Sequence, residues 1–147
     1  MSKLFEQLES DLVAARKARD KARTLLLGTI LSDAKNRRIE LRKDLAEDEV
    51  VDVIRKGIKR RRESAEAYEG AGRAELAERE ATEASMLEAY LPAQADPEEI
   101  RAAVRSAIAG GATQIGAVMG KVLPQFKGRA DGGVVSGIAR EELAAKG

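Results

Sequence analysis

The seven residues Lys127-Gly128-Arg129-Ala130-Asp131-Gly132-Gly133 hold three glycines, two cations and one carboxylate in a chain otherwise rich in helix formers. Glycine permits positive φ or close backbone approach, and aspartate is a favoured residue immediately before a helix. A helix N-terminus beside Lys127 and Arg129 could receive an anion, and the plainer reading is a well-capped turn. Lys121 adds a third cation six residues upstream.

Other chemistry is restricted by what is missing. The 147 residues contain no cysteine and no histidine, which removes disulfides, thiol and imidazole catalysis and the common zinc sites. Two phosphate-loop patterns fail on inspection. Gly111-Ala-Thr-Gln-Ile-Gly116 is followed by Ala117 where lysine is needed. Gly116-Ala-Val-Met-Gly120-Lys121 has the wrong gap and is followed by Val122. Gly116 and Gly120 are therefore expected to let two short helices approach closely. Glu80 and Glu83 share a helix face, but di-metal bundles pair such carboxylates with histidine. No catalytic residue, metal or cofactor is assigned.

Basic residues form two further groups. Lys35, Arg38 and Arg42, spaced three and four apart, are expected to share a helical stripe. Lys56, Lys59, Arg60, Arg61 and Arg62 form the densest run. It can be neutralised by Glu63 and Glu66 four residues on, pair with the acidic segment that follows, or meet a polyanion. Aromatics make up only 3%, so any nucleic-acid contact would be to backbone and shape, not stacked bases.

These groups have to be positioned by helices. Leu4, Leu8, Leu12 and Ala15 give an amphipathic helix over about 3–18. Asp20 starts a second, with Leu25, Leu26, Ile30, Leu31 and Ala34 as its apolar face, running to about Lys43. Glu47-Asp48-Glu49 opens a third that Gly70-Ala71-Gly72 stops, and a fourth runs from Arg73 to Leu91, where Pro92 ends it. Asp96-Pro97-Glu98-Glu99 is a strong helix start, Gly110-Gly111 a stop and Thr113 a candidate cap for the next helix. Val134, Val135, Ile138 and Leu143 form the last. No segment alternates with period two. The expectation is an all-α protein: a helical N-terminal domain of about four helices over 1–92, then a three-helix lobe over 96–147.

Net charge is +1, but it is segregated: residues 1–62 carry +6, residues 63–100 carry −9 and residues 101–147 carry +4. Blocks of this kind steer partners. No apolar run reaches the roughly 18 residues of a membrane span, and the N-terminus has no apolar signal region. A cytoplasmic location without membrane contact is expected.

Leu87-Glu88-Ala89-Tyr90-Leu91-Pro92, Met119-Gly120-Lys121-Val122-Leu123 and Lys127-Gly128-Arg129-Ala130-Asp131-Gly132 together resemble the signature of YqeY-like proteins. Ala18-Arg19-Asp20, Arg61-Arg62-Glu63-Ser64 and Ala71-Gly72-Arg73 extend the resemblance along the chain. It implies kinship, through the C-terminal lobe, with the tail domain of the B subunit of the tRNA-dependent amidotransferase, a carbon–nitrogen ligase with glutamine as amido donor. The kinase-like part of that subunit, with its ATP and magnesium sites, and the glutaminase subunit have no counterpart here, so activity would be by association. Two readings follow. In the first, a non-catalytic module binds tRNA or another structured RNA, beside an amidotransferase or translation-related partner. Its phosphate contacts would be Lys121, Lys127 and Arg129, with Gly128, Gly132 and Gly133 allowing approach and Lys35, Arg38 and Arg42 as a secondary stripe. In the second, the chain is a protein–protein adaptor using the acidic 63–100 block and apolar helix faces.

Overall fold

Short polar residues, Ser2, Asp20, Asp96 and Asp131, start four of the helices among the described residues. In the computed structural model, which describes residues 2–146, Ser2 Oγ accepts from Phe5 N at 3.1 Å and opens α1 (Lys3–Lys17). The Ser2 hydroxyl also donates to the Glu47 carboxylate, which accepts from Leu4 N at 2.9 Å, so one acid joins the starts of α1 and α3. Asp20 accepts from Arg23 N at 3.1 Å and opens α2 (Lys21–Leu41). Glu47, Asp48 and Glu49 fill the first turn of α3 (Glu47–Gly70), and α4 (Ala74–Glu88) returns after Gly72 at φ 72°. The described residues are all helical with no strand, and they divide into two compact units at Leu91/Pro92.

The first unit is built on α3. Leu8, Leu27, Ile30, Val50, Ile54 and Leu87 are fully buried. Gly57 lets the elements close up: a Cβ there would stand 2.7 Å from Ile30 Cδ1 and 3.5 Å from Leu87 Cδ1. The buried face of α2 is Leu26, Leu27, Ile30, Leu31 and Ala34. Leu25, expected among them, is 70% exposed, because 100° per residue turns it to the opposite side of the helix from Leu27, Ile30 and Ala34. The helix also stops at Leu41, short of Lys43, since Arg42 is left-handed at φ 54°.

The three arginines of the dense basic run are neutralised across helices, while Lys56 pairs with Asp52 along α3 at 3.3 Å. Arg61 Nε donates to Glu83 at 3.3 Å and Arg62 to Glu88 at 2.7 Å, both on α4, and Arg60 reaches Asp33 on α2 at 3.0 Å. The pairing with Glu63 and Glu66 along α3 is replaced by these. Beyond α4, the Tyr90 hydroxyl donates to Asp11 and accepts from Arg23 at 2.9 Å, which fastens the end of this unit to α1 and α2. Burial, then the bond to Asp11, pushes the Tyr90 phenol up to about 12.

In the second unit Asp96 accepts from Glu98 N at 2.9 Å and Pro97 stands first in α5 (Pro97–Ala109). α6 (Ile115–Val122) begins after Gln114 with no side-chain cap, so Thr113 does not serve as one. A 3-10 turn (Leu123–Phe126) contains Pro124, and α7 (Gly132–Lys146) closes the unit. Ile100, Val104, Val118, Val122 and Val135 are fully buried between the three helices. Glu142 on α7 accepts from Arg101 at 2.7 Å and Arg105 at 3.0 Å on α5; Arg105, then Arg101, holds its carboxyl below the usual range.

The two faces of α2 and α3 make opposite demands. Ile54→Ala should lower unfolding free energy by about 2–5 kcal/mol, as for other fully buried aliphatics, and Leu25→Ala should stay within about 0.5 kcal/mol. Urea denaturation of both variants checks this.

Candidate functional site

The connection from the 3-10 turn to α7 carries most of the candidate residues, and local geometry explains each. Gly128 sits at φ 75°, where a Cβ would be strained. Arg129 N and Ala130 N both donate to Phe126 O, at 2.9 and 3.1 Å, rounding the turn. Asp131 then caps α7: its Oδ1 accepts from Gly133 N at 3.0 Å and its backbone oxygen from Val134 N at 3.0 Å and Val135 N at 3.2 Å. A carboxylate thus already occupies the start of this helix. An incoming anion would meet the Lys127 and Arg129 side chains first.

Arg129 has its own partner. Its guanidinium grips Glu99 through two bonds of 3.3 and 3.0 Å and lies 6.0 Å above the Phe126 ring centre. Its backbone oxygen accepts from Ala95 N at 2.8 Å. Arg129 therefore ties the entry of α5 to the loop, and a phosphate would have to exchange with Glu99. Composition and periodicity do not identify this partner, thirty residues away.

Lys121 stands elsewhere. Its Nζ lies beside Gly110, 3.9 Å from where a Cβ of that glycine would be, at the far end of α5. Glu99 and Gly110 are separated by about 16 Å of helix rise. The structure thus associates Lys127, Gly128 and Arg129 in one turn and sets Lys121 apart from them. In the first unit Lys35 and Arg38 are exposed on α2, where Arg38 pairs with Asp44 at 3.1 Å, and Arg42 leaves the helix, so the three do not form one stripe.

The glycines are more informative than their spacing suggests. Gly116 and Gly120 on α6 are exposed, and a Cβ on either would meet nothing within 4 Å, so they do not bring two helices together. Gly132 and Gly137 on α7 are equally unconstrained, and Gly133 would touch only Asp131 Oδ1 at 3.7 Å. Each helical glycine costs about 0.5–1 kcal/mol relative to alanine. No packing within the unit requires them. They leave bare backbone on α6 and α7, next to exposed Leu123 and Val134.

An all-helical, two-unit chain with a glycine-bare basic turn is the class defined so far. The chain belongs to the YqeY-like family: the family model described as Yqey-like protein matches residues 5–143. No curated protein matches it. Among the described residues no helix is long and apolar enough to cross a membrane.

Gly128→Ala should cost about 1–2 kcal/mol because of its left-handed φ. Gly133→Ala should be neutral or stabilise by up to about 1 kcal/mol. Thermal melts of the two variants test the distinction between a glycine the fold needs and one it does not.

Proposed function

We propose that this protein is a non-catalytic helical module that binds tRNA or another structured RNA through its phosphate backbone, using the Lys127–Gly133 turn. The observation that carries the reading is the pairing of unneeded glycines with an acid-free segment. Residues Ile100 to Ala130 hold five cations and no carboxylate, with Arg101 and Arg105 matched to Glu142 and Arg129 to Glu99, and the helices there and just beyond expose backbone that no internal contact explains. A polyanion whose phosphates must come close to the main chain fits both features. The near absence of aromatics fits backbone recognition and not base stacking. The resemblance to an amidotransferase tail domain points to tRNA, with any amidotransferase role by association, and a cytoplasmic setting suits that substrate.

A second reading rests on a different surface. Glu63, Glu66 and Glu69 on α3 and Glu75, Glu78 and Glu80 on α4 make no ion pair among the described residues, and they could recruit a basic protein. Pull-down with and without RNase separates the two: partners surviving RNase favour the adaptor.

For the RNA reading, tRNA binding should be measurable at about 50 mM salt, with the three phosphate contacts of this site contributing roughly −2 to −3 to the log–log slope. Replacing Lys121, Lys127 and Arg129 together by alanine should flatten it. Because Glu99 competes for Arg129, Glu99→Gln should tighten binding, and Gly133→Val should weaken it without lowering Tm. Absence of binding, or a triple variant that binds as well as the parent, refutes the assignment.

A further inference from the structure

The turn between α1 and α2 reads Arg16-Lys17-Ala18-Arg19-Asp20-Lys21-Ala22-Arg23, five cations in eight residues. Its one acid is spent, since Asp20 caps α2 through Arg23 N. Arg23 is drawn inward to Tyr90 and Asp11. The other four side chains, Arg16, Lys17, Arg19 and Lys21, make no hydrogen bond or ion pair among the described residues. That sets them apart from the denser run on α3, where Lys56, Arg60, Arg61 and Arg62 are each matched to a carboxylate at 2.7–3.3 Å.

A second, independent feature lies in the backbone. α1 ends in a Schellman motif, with Arg19 N donating to Arg16 O at 3.1 Å and Asp20 N to Ala15 O at 3.0 Å. Such an end calls for glycine or asparagine at the left-handed position, which here is Arg19 at φ 57°. The same substitution closes α2, where Arg42 holds φ 54° and Lys43 N reaches Arg38 O at 3.4 Å. These are the two non-glycine residues with positive φ among those described, and both are arginine. A local rule broken twice for the same charge is a functional signature.

Between the two arginines α2 offers a surface suited to RNA. Its only acids, Asp33 and Glu40, are matched to Arg60 at 3.0 Å and Arg37 at 2.8 Å. Its exposed residues include Ser32, Lys35 and Asn36, hydroxyl, ammonium and amide groups able to meet phosphate and 2′-hydroxyl, while the Thr29 hydroxyl donates to Leu25 O at 2.9 Å. Arg16, Arg19 and Lys21 line a shallow groove with Thr24 and Leu25 at one end. The helix is about 31 Å long at 1.5 Å per residue.

We infer that the α1–α2 turn and the outer face of α2 form a second docking surface for the phosphate backbone of a structured RNA. The inference rests on the RNA reading of the Lys127–Gly133 turn but not on that turn's residues. Unpaired cations and polar groups without aromatics fit a helical RNA better than an acidic peptide, which would need an apolar pocket in place of single exposed leucine and isoleucine side chains.

The test uses the full chain, a short RNA duplex and tRNA as probes, and the variant Arg16→Gln/Lys17→Gln/Arg19→Asn/Lys21→Gln. Asparagine keeps the left-handed position, and a melting curve no lower than the parent's confirms folding. The log–log salt slope for either probe should fall by about 3 to 4, with affinity at least roughly tenfold weaker. Unchanged slope and affinity in this variant overturn the inference while leaving the Lys127–Gly133 site standing. Loss here with full binding in the Lys121/Lys127/Arg129 variant supports it and removes the other site. A parent protein that binds neither RNA sinks both, and binding to phosphatidylserine vesicles in that case would reassign the surface to a membrane.

Discussion

Close approach at Gly57 is the constraint on which the first unit depends. With 3% aromatics and no cysteine, the chain holds long, highly charged helices together mainly with leucine, isoleucine, valine and alanine, plus Phe5. It does so by bringing Ile30 and Leu87 to within van der Waals reach of the α3 backbone at a residue without a side chain. Arg61 uses the same spot, donating to Gly57 O at 3.0 Å while pairing with Glu83. With Arg61 at 13% and Glu83 at 23% side-chain exposure, this pair is sheltered more than the others around it, and loss of one partner would cost more than at a fully solvated pair.

Once the bundle is closed, charge becomes the variable that distinguishes surfaces. Carboxylates on neighbouring helices answer Arg60, Arg61 and Arg62 of α3, and Glu142 answers Arg101 and Arg105 of α5. In the first unit Arg16, Lys17, Arg19 and Lys21 at the α1–α2 turn, and Glu63, Glu66, Glu69, Glu75, Glu78 and Glu80 on α3 and α4, form no ion pair among the described residues. The second unit contributes a turn whose arginine is held in reserve by Glu99 and whose following helix begins with bare glycines.

Helix starts and stops were legible in the sequence because they are local. Asp20, Asp96-Pro97 and Gly70-Ala71-Gly72 act within three or four residues, and the elements fall where these predict. The exposure of Leu25 follows from the same local geometry, since 100° per residue sets it opposite Leu27, Ile30 and Ala34. Pairing was not legible. Arg62 has Glu66 one turn away in sequence but takes Glu88, which only the fold brings near. Arg129 and Glu99 meet across thirty residues, and Lys121 is parted from Arg129 by the length of α5. The freedom of Gly116 and Gly120 was likewise hidden, since spacing alone does not tell a packed glycine from one facing solvent.

Crosslinking the protein to RNA in cells, followed by sequencing of the RNA and mapping of the crosslinked peptides, tests the central claim most directly. RNA recovered above an uncrosslinked control, with peptides containing residues 127–133 attached to it, is the result predicted. Recovery of no RNA, or attachment confined to the acidic end of α3 and α4, would contradict it.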